Sequence, residues 1–115
     1  MFNEEIDTQK GISFMAGKKE IYAKIAATFT KDIDTKVENL RQFFAKEDFA
    51  RLTIEFHGLK SSSASVGATV LPKAALELEM AGKEGNNELI KEKFDGFIEQ
   101  YRDTCEALNA AVSQL

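Results

Sequence analysis

Residues 48–67 read DFARLTIEFHGLKSSSASVG. Phe49, Leu52, Phe56, Leu59, Ser63 and Val66 recur in alternating steps of three and four. That rhythm marks the seam of a helix packed in a bundle. Asp48 is a good N-cap for it, and Gly67 ends the stripe. Upstream, a second stripe runs through Ile21, Ile25, Phe29, Ile33, Val37, Leu40 and Phe44. It fits either one helix from Lys18 to Ala45 or two helices broken near Asp32 to Thr35, with Asp34 as the second cap. Downstream, Thr69 and Pro72 suit the first turn of a helix carrying Leu71, Ala75 and Leu78, closing near Gly82 to Gly85. The last stripe is Ile90, Phe94, Phe97, Tyr101, Cys105, Leu108, Val112 and Leu115, which predicts a helix of about 25 residues starting near Asn87. Residues 1–16 are expected to add a short helix across one end. No alternating apolar run and no Asn-Gly or Asp-Gly turn suggests a strand. The expected fold is all-α: an antiparallel four-helix bundle with a short extra N-terminal helix, in a single domain over residues 1–115.

The chain has 115 residues, of which 43% are hydrophobic, enough for one buried core without a disulfide or metal staple. Fifteen basic residues against nineteen acidic ones give a net charge of −4, which argues against nucleic acid or an anionic membrane as partner. No apolar run approaches the roughly 20 residues of a membrane span. The acidic, polar opening MFNEEIDTQK is not a signal peptide. A single cysteine allows no intrachain disulfide. A cytoplasmic monomer is expected, and the initial Met with no linker suggests a free-standing protein.

Few residues could carry chemistry. There is no Gly-rich phosphate loop to hold ATP. One His and one Cys cannot form a structural zinc site, and Cys105 lies in an apolar stripe as a small hydrophobe. Ser61 to Ser63 lack the spacing of a hydrolase triad, although partners could be distant in sequence. The stripes contain neither an inward His nor the several inward carboxylates that a haem or di-iron bundle needs. His57 is different. At about 100° per residue it points roughly 130° away from the centre of its stripe, toward solvent. On that face its neighbours are Lys60, Ser61 and Ala64, with Ala68 continuing the line and Ile54 to one side. Gly58 and three successive serines are poor helix formers, and local propensity is given up where a site is expected. A loop or a close helix crossing is the other reading of the serines. A neutral imidazole is a nucleophile, and attack on phosphorus would place close to two negative charges beside Lys60. With no nucleotide loop or metal site, the phosphate would come from a partner protein.

These residues resemble the signature of the histidine phosphotransfer (HPt) domain family of bacterial and plant phosphorelays. The family pattern has a phosphorylated His, Leu at plus two, Lys at plus three, small residues at plus four to six, and Gly-Ala at plus ten and eleven. Here these are His57, Leu59, Lys60, Ser61 to Ser63, Gly67 and Ala68. Gly11 to Gly17 resembles the family's entry segment, and Ala75 to Ala81 with Gly85 resembles the helix after the motif; the likeness covers residues 11–112. One departure is Ser61, where the family usually has Gly.

The resemblance implies that His57 accepts a phosphoryl group at Nε2 from a receiver-domain aspartate and passes it to another receiver, with Lys60 balancing charge. It implies no ATP-dependent kinase activity. No cofactor is expected in this chain, the Mg²⁺ belonging to the receiver. The partners implied are receiver domains and a hybrid sensor histidine kinase, docking on Ile54, Gly58, Ser61, Ala64, Ser65 and Ala68. Phe14 and Met15 extend this patch if the N-terminal segment folds over that end. The alternative is a degenerate bundle of the same type that only binds or inhibits a partner.

Overall fold

A computed structural model describes residues 4–115. They form six helices: α1 (Thr8–Ser13), α2 (Lys19–Thr30), α3 (Ile33–Ala45), α4 (Phe49–Ser65), α5 (Leu71–Lys83) and α6 (Asn87–Ser113). The fold is all-helical, and the only extended pairing among the described residues is an isolated bridge between Ile6 and Ala68. The helix expected within residues 1–16 is α1; residues 1–3 lie outside the described part.

The deciding segment folds as its spacing predicts. The Asp48 side chain accepts the Arg51 N–H at 3.1 Å, capping α4. Leu52, Phe56 and Ser63 face inward, with Val66 buried just beyond the helix end. Ser63 is tolerated there because its Oγ donates to the Leu59 carbonyl at 2.6 Å, so no hydroxyl is orphaned. The serines are therefore helical, not a loop.

The upstream stripe is two helices, and two details differ from expectation. Asp32, not Asp34, precedes α3; it adopts a left-handed backbone with φ 57° and makes no side-chain cap bond. Asp34 sits in the first turn and accepts from Arg102 of α6 at 2.8 Å. The break is sealed by Lys36, whose Nζ donates to the Thr28 and Phe29 carbonyls at the end of α2. The second difference is the phase of α2. Tyr22, Ala26 and Phe29 are buried, while Ile21 and Ile25 stand 42% exposed. The Tyr22 hydroxyl reaches the Val66 carbonyl at 2.7 Å, giving that buried carbonyl just beyond α4 a partner that an isoleucine could not supply.

α4 lies along α5, and α5 along α6, while α2 leans on α6 and α3 on α4. Phe56 meets Phe97 edge-on at 5.0 Å, and Phe44 stacks on Phe94 at 4.1 Å. Cys105 is buried in this core as a free thiol, which burial pushes up to about 11. A Cβ on Gly82 would run into the Thr53 side chain, so glycine there lets α5 approach α4 closely. Asn86 caps α6 through its side chain, one residue before the start expected from sequence.

The N-terminal arm ties the other end of α5. Gly67 turns the chain out of α4 at φ 87°, where a Cβ would meet the Asp7 backbone. Asp7 N–H donates to the Gly67 carbonyl at 2.7 Å. The Glu4 carboxylate accepts the backbone N–H groups of Thr69, Val70 and Leu71 at 2.8 to 3.0 Å. It also accepts from the Thr104 hydroxyl on α6 at 2.8 Å. No helix of the described residues is long and apolar enough to cross a membrane.

Candidate functional site

His57 sits mid-way along α4 with 61% of its side chain exposed. Its Nδ1 lies 2.6 Å from Oε2 of Glu79, which α5 brings across to α4. Lys60, one turn beyond His57, donates to Oε1 of the same carboxylate at 2.7 Å. Lys83, one turn beyond Glu79, reaches Oε2 at 3.2 Å. Glu79 itself is 1% exposed. A buried carboxylate thus gathers one imidazole and two ammonium groups at the surface.

The Lys60 ammonium, followed by the His57 ring and Lys83, holds the Glu79 carboxyl down to about 2, against burial that pushes it up. Glu79 is therefore ionised at any physiological pH and can only accept. The proton of the short bond must then reside on Nδ1 of His57, and a neutral ring with its proton there carries its lone pair on Nε2. The carboxylate fixes both the tautomer and the orientation of an exposed imidazole.

Glu79 is the residue that sequence reasoning misses, a single inward carboxylate on α5. Its position was readable: it lies four residues after Ala75 and next to Leu78, on the buried face of α5. The run Leu76-Glu77-Leu78-Glu79-Met80 hides it, because both glutamates flank the same leucine. Leu76 and Met80 are exposed instead, at 43% and 45%. Among the described residues, no group of three or more His, Cys, Asp or Glu side chains is arranged to hold a metal ion.

The residues expected around His57 divide between two grooves. Ile54, 62% exposed, lines with Gly58, Ser65 and Ile25 a groove of about 520 Å³ between α2, α3 and α4. Ala64 borders a second groove of about 370 Å³ together with Phe14 and Pro72. Ser61 is exposed, and no atom lies within 4 Å of where a Cβ on Gly58 would point, which leaves open ground beside the ring. Met15 packs partly buried against the core, whereas Phe14 is 57% exposed. Ala68 also lines the second groove, but it is 8% exposed and bridged to Ile6. The spacing that led to it assumes a continuing helix, but α4 ends at Ser65 and Gly67 turns the chain beneath the N-terminal arm.

No curated protein and no solved structure matches the chain. The family comparison is positive, and it covers the helices that build this site. Residues 24–114, from within α2 to the end of α6, match the family model of the Hpt domain, so the chain belongs to the Hpt domain family.

Proposed function

We propose that this chain is a phosphorelay carrier with His57 as its phosphoacceptor. Hpt domains serve phosphotransfer in two-component systems, and they interact with receiver domains and kinases. The observation that carries the assignment to His57 is the 2.6 Å contact between its Nδ1 and the buried Glu79 carboxylate. That contact leaves Nε2 as the free nucleophilic nitrogen of an exposed ring. In the proposed step, the Nε2 lone pair attacks the phosphorus of a receiver aspartyl phosphate. A P–N bond forms, the P–O bond to the aspartate breaks, and the aspartate leaves as carboxylate. The positive charge gained by the ring faces Glu79. Lys60 spends one of its three N–H donors on Glu79, and the other two are available to the phosphoryl oxygens. Transfer onward is the reverse reaction on a second receiver.

The accompanying arrangement is an antiparallel four-helix bundle, with α2 and α3 as one broken helix beside α4, α5 and α6, and α1 as the added N-terminal helix. The receiver docks around His57 on Ile54, Gly58, Ser61, Ala64 and Ser65 and brings the Mg²⁺ in its own acidic pocket. Phe14 extends this surface.

The test is incubation with a phosphorylated receiver domain, followed by acid and alkali treatment of the label. Label on this chain that is lost in acid, survives alkali and is absent from a folded His57→Gln variant is the expected result. Equal labelling of His57→Gln overturns the assignment. A folded parent that stays unlabelled across a panel of receivers but binds them would make it a docking-only module.

A further inference from the structure

An ionised carboxylate touching an imidazole presents a chemical conflict. It orients the ring, but it also favours the imidazolium, which has a proton on both nitrogens and no lone pair with which to attack phosphorus. A site built on Glu79 and His57 alone would trade nucleophile for orientation at neutral pH. The structure contains the counterweight. The two oxygens of Glu79 are not equivalent: Oε1 accepts from Lys60, while Oε2 accepts from both His57 and Lys83. Lys83 therefore shares the oxygen that holds the ring. The carboxylate contributes −1 and the two ammonium groups +2, so a protonated His57 would join a cluster that is already positive. The charged groups of this cluster are Lys60 from α4 and Glu79 and Lys83 from α5; α3, which also packs on α4, adds none among the described residues.

We infer that Lys83 is a positioning residue for the chemistry at His57, dividing the Oε2 charge so that the ring is oriented by Glu79 without being driven into its protonated, non-nucleophilic form. This rests on the reading of His57 as phosphoacceptor. Lys83 acts through Glu79, and it lies outside the motif on α4, 26 residues beyond the histidine. Its side chain is 58% exposed, so replacing it leaves the core untouched.

His57 is the single histidine of the chain, so its ring resonances can be followed by NMR without assignment ambiguity. In Lys83→Met, checked for fold by circular dichroism, the pH midpoint of those resonances is expected to move upward by about half a unit or more relative to the parent. Phosphoryl acceptance from a labelled receiver near pH ~6 should fall about threefold, with no loss near pH ~9, because half a unit is about a factor of three in the unprotonated fraction. Lys83→Arg should restore the parent profile. A labelled parent whose midpoint does not move in Lys83→Met overturns the role of Lys83 alone. A parent that takes no label overturns the reading of His57, and with it this role.

Discussion

Glu79 shows how much one side chain can decide. A glutamate that is 1% exposed would ordinarily be a liability, but three donors convert it into the fixed point around which His57, Lys60 and Lys83 are arranged. Its titration has a direction. The folded carboxyl is held at about 2 while an unperturbed glutamate stands at 4.5. The unfolded chain therefore binds protons first, and the stability Glu79 contributes is complete above 4.5 and lost as pH falls toward 2. Urea unfolding of the parent should weaken across that window more than that of Glu79→Gln. Parallel pH profiles for the two proteins would mean the carboxylate is not held this way. At this scale the outward direction of His57 and its pairing with Lys60 were legible from helical phase alone. Glu79 was harder to read, because in a period-two run of leucine and glutamate only the four-residue step from Ala75 marks which carboxylate turns inward. Glu77 turns outward and pairs with Lys93 at 2.9 Å.

Between elements, the distance that matters is the one from α4 to α5. Gly82 sets it: with no Cβ there, α5 can lie against Thr53, which holds Glu79 of α5 within reach of His57 on α4. Gly82→Ala should cost about 1–3 kcal/mol as an overpacked contact. It should also lower phosphoryl acceptance although the added methyl meets only Thr53, which paired melts and labelling would check. An unchanged melting temperature would mean the helices have slack at this point. A deletion in the core acts differently: Phe56→Ala should cost about 3–5 kcal/mol, read by denaturant unfolding. The positions of α4 and α5 were legible because Asp48, Pro72 and Gly85 punctuate them locally, and that of α6 from its long apolar stripe. The face of α2 was not. Ile21 and Ile25 make as good an i, i+4 pair as Tyr22 and Ala26, and the choice is settled by the Val66 carbonyl, 44 residues away.

Over the whole molecule, the N-terminal arm is the feature that sequence conceals most. A short helix at that end is predictable from residues 1–16, but the grip of Glu4 depends on backbone groups at 69–71 and a hydroxyl at 104. Those hydrogen bonds and burial act on the Glu4 carboxyl together, and the bonds prevail, holding it below its ordinary value. Glu4→Ala removes a cap from α5 and should cost about 1–2 kcal/mol in equilibrium unfolding; a loss near zero would show that Pro72 and the tertiary packing suffice to start that helix.

The arm also gives the molecule two levels of opening. The helices beyond it pack largely on sequence neighbours, α4 on α5 and α5 on α6, whereas the arm closes contacts across 60 to 100 residues of chain. Its release needs no core side chain to move except the partly buried Ile6. Amide hydrogen exchange should therefore find Thr69, Val70 and Leu71 trading their protons with solvent through a local event, well before the interior of α5 does. Those three amides would serve as a built-in clock for the arm, running separately from the unfolding of the domain.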